Sequence, residues 1–303
     1  MTPSLLAHIA GPPIDWAAAL GYLSRRAIAG VENVDEASGR YSRAVLVLGH
    51  EGHIVVRDRN AGRHLLVETS SGLLPVLGQV VIRVRRLFDL DTDPRPIAAH
   101  FAGDPLLAPL VARRPNLRLI GAMDGFELAV RAVLGQGVTV RGASLLAARL
   151  TRLVAEPLAE APFGLTHLPI SAERLARLSP HRLRSIGITR SRVECLLALA
   201  RATADGELPE LVTGAAIDGP TEFIRRFTEL PGIGPWTAHY VAMRALAWSD
   251  AFPEGDLGLR QAAGGLSARD LIVAAERWRP WRAYAAVYLW SVTTLTATTR
   301  PSA

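Results

Sequence analysis

Thr221 to Ala247 reads TEFIRRFTELPGIGPWTAHYVAMRALA, and this stretch decides the fold of the second half of the chain. Thr221 is placed to cap a helix that puts Phe223, Ile224 and Phe227 on one side. That helix must stop at Leu230-Pro231-Gly232, because a proline pushes the residue before it out of the α region. Gly232 and Gly234 accept positive φ and leave backbone N–H groups uncovered. Pro235 suits the first position of a new helix. The expected unit is helix, tight glycine hairpin, helix over about residues 222–248. Bare N–H groups and the dipole at the start of the second helix favour an anion, and a phosphate held there positions DNA without reading its sequence. The same spacing also fits an ordinary corner between two helices, in which the glycines only permit the turn.

Beyond the hairpin, Phe252-Pro253-Glu254-Gly255-Asp256 leads into Leu257-Gly258-Leu259-Arg260. Asp256 is a candidate helix cap and a candidate catalytic carboxylate, two compatible roles. Trp236 and Tyr240 are spaced i, i+4 and share a helix face, either as core or as the wall of a cavity. Before the hairpin the pattern is mostly helical: Phe126, Val130, Val133 and Leu134 lie on one face, and Ala143 to Val154 continues with Leu146, Leu150 and Leu153. Residues 157–169 read as a loop, Ser171 and Ser179-Pro180 as helix or turn starts, Ser191 to Ala204 as an apolar helix, and Gly206 to Pro220 as a linker.

The first part of the chain differs. Asp15 is a candidate cap for a short helix through Trp16, Leu20, Leu23 and Ala27. Then come strand-like runs at Ala44 to Leu48, Ile54 to Val56, His64 to Val67 and Val80-Val81-Ile82, with turns at Gly49 to Gly52 and Asn60 to Gly62. The expected fold class is α+β: an N-terminal domain, residues 1–115, with a small antiparallel β-sheet and helices, followed by an all-α core, residues 116–303.

Composition narrows the function. The net charge is +6 and the isoelectric point is near 10.3, which makes an anionic partner, nucleic acid first, a fair expectation. The chain has no lysine, so no lysine Schiff base can form on it. Cys195 is the sole cysteine, which excludes an internal disulfide and any multi-cysteine metal or iron-sulfur cluster. No apolar run approaches the roughly 20 residues that span a bilayer, and residues 1–14 lack the basic and apolar regions of a signal peptide. A cytoplasmic protein without a membrane partner is expected.

Leu230-Pro231-Gly232-Ile233-Gly234-Pro235-Trp236-Thr237-Ala238 resembles the helix-hairpin-helix of the DNA glycosylase superfamily, in which a catalytic aspartate follows the hairpin at a short interval. Asp256 stands at that place. FELAVRAVLGQGVTV, Phe126 to Val140, is similar to the first core helix and DNA-facing loop of the alkylbase glycosylases. Pro280-Trp281-Arg282-Ala283-Tyr284 with Leu289-Trp290 is similar to their closing helix. Ile14-Asp15-Trp16, Leu20-Gly21-Tyr22 and Arg86-Leu87-Phe88-Asp89-Leu90 are similar to their N-terminal domain. The likeness covers nearly the whole chain and is strongest to the bacterial DNA-3-methyladenine glycosylase II (AlkA) type.

The resemblance implies a monofunctional glycosylase that flips alkylated purines from double-stranded damaged DNA and leaves an abasic site, acting as a monomer. An oxocarbenium-like transition state needs one fixed carboxylate, here Asp256, to stabilise charge and orient water. A ring-alkylated purine is cationic and leaves without protonation. By resemblance Tyr22, Trp236, Tyr240 and Trp290 line the base pocket, where aromatic faces suit a flipped cationic base. Gln136, Gly137, Val138, Gly232, Gly234 and Thr237 are the implied DNA contacts. The carbonyls of Thr228, Leu230 and Ile233 are implied holders of a structural Na+ or K+; no other cofactor is implied. Two departures stand out. Gly137 occupies the place of the bulky side chain that plugs the gap left by the flipped base, leaving Gln136 or Val138 as substitutes. Gly258 replaces a residue that is often apolar. Where lyase relatives carry lysine, this chain has Trp236. A non-catalytic DNA-binding hairpin protein, or a glycosylase for uncharged lesions or mismatches, are the alternatives; the second needs groups that activate the leaving base, and none is evident in the sequence.

Other residues read blandly. His239 is expected on a helix surface or in a core, Cys195 as a buried small hydrophobe, Trp278 and Trp281 as structural, and Arg85-Arg86 and Arg225-Arg226 as solvated surface.

Overall fold

The computed structural model describes residues 4–159 and 162–298; residues 160 and 161 of the expected loop lie outside the described residues. Strands β1 (Ser4–Ala10), β2 (Glu32–Asp35), β3 (Arg40–Val47), β4 (His50–Arg59) and β5 (His64–Ser70) form one antiparallel sheet in the order β1-β5-β4-β3-β2. α1 (Trp16–Ser24) follows β1 and α2 (Leu77–Leu87) follows the sheet. Then come α3 (Pro94–Phe101), α4 (Ala108–Arg113), α5 (Gly125–Leu134), α6 (Val140–Val154), α7 (Ala172–Ala176), α8 (Pro180–Ser185), α9 (Arg190–Ala204), α10 (Pro209–Thr213), α11 (Pro220–Thr228), α12 (Pro235–Ala245), α13 (Leu257–Ala262), α14 (Ala268–Ala275) and α15 (Arg282–Thr298). The α+β class holds. No helix among the described residues is long and apolar enough to cross a membrane.

Local chemistry explains most element ends. The Asp15 carboxylate accepts from the Ala18 N–H at 3.0 Å and caps α1. Thr139, Ser171 and Ser179 cap α6, α7 and α8 in the same way. Leu48 and Gly49, at φ 50° and 80°, make the two-residue turn between β3 and β4, so Gly52 lies inside β4 rather than in the turn.

Several expectations are corrected. Val80-Val81-Ile82 is helical, because Val80, Val84 and Leu87 form a buried stripe at helical spacing that outweighs local β propensity. β1 and the short polar β2 carry no sequence signal as clear as the central strands, and both are edges of the sheet. α1 ends at Ser24, short of Ala27. α11 starts at Pro220 behind Gly219, one residue before Thr221, with no side-chain cap. The linker after Gly206 contains α10.

Two cores result. Alternate residues Tyr41, Val45 and Val47 of β3, Ile54 and Val56 of β4, and Leu65 and Val67 of β5 join Leu20 and Leu23 of α1 and Val80, Val84 and Phe88 in one. The helices form the other, centred on α5, α9 and α12, and it also takes Ile97, Phe101, Leu107 and Val111 from α3 and α4. Conversely, Ile120 and Met123 belong to the sheet's core.

Buried charges bind the two. Arg43 of β3 reaches both carboxylate oxygens of Glu127 on α5 at 3.0 and 3.1 Å. Glu32 of β2 accepts from Arg131 of α5 at 3.0 Å, from the Tyr41 hydroxyl at 2.7 Å and from the Ile28 N–H at 3.0 Å. Burial pushes the Glu32 carboxyl up, but Arg131 and Arg43, with these hydrogen bonds, outweigh it and hold the group below its ordinary range. Two acids and two bases balance, and breaking such a buried set at one member costs about 3–5 kcal/mol. A second tie is Asp89, whose oxygens lie 3.0 and 3.1 Å from the Tyr284 hydroxyl on α15 and accept from Thr92 at 2.6 Å.

Burial raises the Asp89 carboxyl to about 6. The native state therefore holds a proton that the unfolded chain has released, so this contribution to stability is full below the unfolded pKa and is lost as pH rises through about 6. Asp89→Asn removes the titration. Between pH 4 and pH 7.5 the variant should gain on wild type by up to about 3 kcal/mol, read from urea melts at both pH values.

Candidate active site

The hairpin forms where the punctuation places it. α11 ends at Thr228, Gly232 takes φ +81°, and α12 opens at Pro235. A Cβ on Gly232 would lie 3.2 Å from Cys195 Cβ, so glycine serves both the turn and its seat on α9. Gly234 is extended (φ −94°, ψ 172°), not left-handed, and acts as the backbone cap of α12. The Ala238 N–H reaches back to the Gly234 carbonyl, leaving the N–H groups of Trp236 and Thr237 ahead of the ladder.

Across from the hairpin, the segment after α5 is tied to it. Gln136 donates through Nε2 to the Gly232 carbonyl at 2.9 Å and to Thr237 Oγ1 at 3.3 Å. Its own carbonyl accepts from Arg192. The side chains of Gln136 and Thr237 thus face each other. Gly137 follows at φ +64°, and Val138 is 39% exposed at the loop's tip.

Between α1, α5, α12 and α15 lies a cavity of about 1330 Å³, and all four expected aromatics line it together with Asp256. Trp236 and Tyr240 stack at 5.3 Å with their planes 9° apart. Trp290 meets Tyr240 edge-on at 6.3 Å. The Tyr22 hydroxyl is 3.3 Å from the Tyr240 hydroxyl. A smaller hollow of about 460 Å³ beside Arg85 and Asp93 shares no lining residue with this cavity.

Asp256 is the cap of α13, its Oδ1 accepting from the Leu259 N–H at 2.9 Å. The same oxygen accepts from the Trp290 indole N–H at 2.9 Å, and Oδ2 accepts from that of Trp236 at 3.1 Å. The expected capping role is observed, and the same carboxylate stands on the wall of an aromatic cavity. Glu254 is not among the described residues lining it. Gly258 packs closely beside the carboxylate: a Cβ there would sit 3.1 Å from Asp256 Oδ1, a tight approach, and 3.5 Å from Trp290 Cδ1, an ordinary contact.

The pattern had not singled out Arg244, which lines the cavity eight residues after Trp236 on the same helix face. That spacing was the available signal. Arg26 lies over the Tyr22 ring at 4.1 Å. Burial alone would raise the Tyr240 hydroxyl, but Arg244, Arg26 and the bond to Tyr22 push it down to about 8. Burial raises Tyr22, its neighbour.

The bland readings hold for His239, Cys195 and Trp278. Burial lowers His239 to about 4; its Nδ1 accepts from the Phe252 N–H at 3.3 Å and its ring stacks on Trp248. Cys195 is buried and its thiol is pushed up to about 11. Trp278 is buried and donates to Asp104 at 2.7 Å. The paired arginines, expected as solvated surface, are instead engaged within the protein and only Arg225 is exposed: Arg85 bonds Asp91, Arg86 the Thr213 carbonyl, Arg225 Glu222, and Arg226 Glu210. Among the described residues no three His, Cys, Asp or Glu side chains gather into a metal-holding group.

Gly258→Ala tests the crowding at the carboxylate. Alanine favours α13 by up to about 1 kcal/mol in helix propensity, so melting should not fall. In the glycosylase reaction that the resemblance implies, with Asp256 as its carboxylate, base release should slow about tenfold or more as Asp256 is displaced. A variant that melts normally and releases base at the wild-type rate would show that the close fit is immaterial.

Comparison with known proteins agrees with this geometry. Residues 9–124 match the AlkA N-terminal domain model. The chain is 36% identical over 280 residues to DNA-3-methyladenine glycosylase 2 of Escherichia coli (strain K12), covering 92% of this chain and 94% of that protein. It is 30% identical over 291 residues to DNA-3-methyladenine glycosylase of Bacillus subtilis (strain 168), covering 92% and 93%. The solved 3-methyladenine DNA-glycosylase from Archaeoglobus fulgidus shares the fold, with a TM-score of 0.77 at 22% identity over 94% of this chain and 97% of that one. The chain belongs to the AlkA family of DNA-3-methyladenine glycosylases.

Proposed function

We propose that the protein is a monofunctional DNA glycosylase. It binds alkylated double-stranded DNA as a monomer, in the cytoplasm at the nucleoid. It flips 3-methyladenine- or 7-methylguanine-class purines into the cavity and hydrolyses the N-glycosidic bond, leaving an abasic site for base excision repair. The observation that carries this reading is the Asp256 carboxylate on the wall of the aromatic cavity, gripped by two indole N–H groups.

Each part has a physical task. The two indoles and the Leu259 N–H fix the carboxylate's plane, so it need not reorganise when positive charge grows on the sugar. The same carboxylate orients water and takes its proton as the C1′–O bond forms. The stacked faces of Trp236 and Tyr240 receive the flipped base. No lysine is present to form a Schiff base, and in this reading water is the nucleophile and the strand is left intact.

The hairpin N–H groups of α12 suit a backbone phosphate, and the loop at Gln136, Gly137 and Val138 faces the gap left by the flipped base. With Gln136 bonded to Gly232 and Gly137 bare, Val138 is the side chain offered to that gap. The carbonyls of Thr228, Leu230 and Ile233 flank the turn, and hard uncharged oxygens of this kind suit Na+ or K+, which would neutralise an approaching phosphate.

The test is incubation with methylated duplex DNA, measuring free bases and strand breaks beside Asp256→Asn. Wild type should release methylated purines and nick nothing until alkali is added. The variant should bind duplex normally and release base at least about a hundredfold more slowly. Full activity in the variant, or strand cleavage by wild type alone, would contradict the assignment.

A further inference from the structure

Seven arginines line the cavity, and four of them are held by the protein. Arg43 and Arg131 face Glu127 and Glu32, Arg118 donates to the Pro13 and Thr92 carbonyls, and Arg244 donates to the Ile120 carbonyl. Arg25, Arg26 and Arg114 are different. Among the described residues no carboxylate lies within ion-pair distance of their guanidinium groups, and none of the three groups donates a hydrogen bond. Arg26 lies over the Tyr22 ring at 4.1 Å. Arg25 folds back along α1, its Nη1 3.4 Å from where a Cβ on Gly21 would stand. Burial lowers the Arg25 guanidinium, and Arg26 and Arg114 lower it further as like charges, against Glu36 and Tyr22.

These groups stand where DNA approaches in the reading above. The Arg25 carbonyl, at the end of α1, accepts from Ser144 Oγ at 3.4 Å, and the Arg26 carbonyl accepts from Arg131, so this end of α1 is fixed against α6 and α5. The loop at Gln136, Gly137 and Val138 joins the same two helices. Arg114 follows α4 as its C-cap, and its carbonyl accepts at 3.3 Å from the hydroxyl of Tyr288, two residues before Trp290 on α15. Unpaired cations along one rim repel one another, and an anion among them relieves that repulsion. The anion that arrives with a flipped base is a phosphodiester, whose oxygens accept guanidinium N–H groups in pairs. It also settles the charge of the cavity, because a cationic base then enters beside arginines whose charge the phosphate has met.

We propose that Arg25, Arg26 and Arg114 form a phosphate-binding rim of the cavity, which takes the backbone phosphates of the lesion strand beside the flipped nucleotide. The proposal rests on the glycosylase reading above. The start of α12 offers a phosphate backbone N–H groups, whereas this rim offers side-chain charge from α1 and the end of α4. The three arginines are positioning residues: they hold the strand while the base occupies the cavity.

The experiment is equilibrium binding, over a range of salt, to a duplex with a reduced abasic site, which has no base to release. Arg25→Gln, Arg26→Gln and Arg114→Gln should each flatten the slope of log affinity against log salt by about 0.7–0.9. Single methylphosphonate linkages, which are uncharged, then locate the contact. Next to the abasic site such a linkage should weaken wild type about tenfold and the variants less than about threefold, whereas remote from the site it should affect all of them equally. If Arg26→Gln does not fold, as judged by thermal melting, Arg25→Gln and Arg114→Gln carry the same comparison. An unchanged salt slope in the variants, or a methylphosphonate loss as large in them as in wild type, overturns the rim. Release of methylated purines by wild type then leaves the glycosylase reading standing; wild type that neither binds duplex nor releases base overturns both.

Discussion

Three elements meet at one carboxylate. Asp256 caps α13, while Trp236 comes from the hairpin helix and Trp290 from α15, and each contributes an N–H to its oxygens. A buried acceptor leaves little freedom to its donors, so these bonds orient two cavity walls as well as the acid. The orientation of Trp236 then sets the plane on which Tyr240 stacks. Gly258 leaves room beside the carboxylate, where a Cβ would stand 3.1 Å from Asp256 Oδ1.

The cavity also depends on the N-terminal part of the chain, which supplies Tyr22 from α1 and Glu32 and Arg43 from the sheet. Tyr22 reaches Tyr240 only because the two cores are clamped, by Arg43 with Glu127, by Arg131 with Glu32, and by Asp89 with Tyr284. Such ion sets give little net stability over apolar packing, but they tolerate little displacement. Here they lie around the cavity, with Glu32, Arg43, Glu127 and Arg131 all on its lining. The cost of burying charge is thus concentrated where geometry matters most to the chemistry.

What could be read from the sequence follows from how local each determinant is. The hairpin was legible because proline and glycine dictate φ within a few residues, and α12 does begin at Pro235. Asp256 was legible as a cap from its position before Leu257-Gly258-Leu259, and its place after the hairpin, by resemblance, marked it as the candidate carboxylate. The helix at Val80-Val81-Ile82 was not, since a short apolar run satisfies both periods until its burial partners are known. Gln136 could not be oriented, because its partner is a carbonyl distant in the chain. Arg244 was missed although it repeats the spacing of Trp236 and Tyr240, because a helical arginine is ordinarily solvated and nothing local announces that this one is enclosed.

The central claim is that the indoles of Trp236 and Trp290 grip Asp256, and proton–nitrogen NMR of the six tryptophan indoles tests it directly. On Asp256→Ala, two indole N–H signals, assigned by Trp236→Phe and Trp290→Phe, should lose their hydrogen-bonded shift while the Trp278 signal, bonded to Asp104, stays in place. If neither signal moves, the carboxylate is not held by the cavity walls, and the account of the site fails.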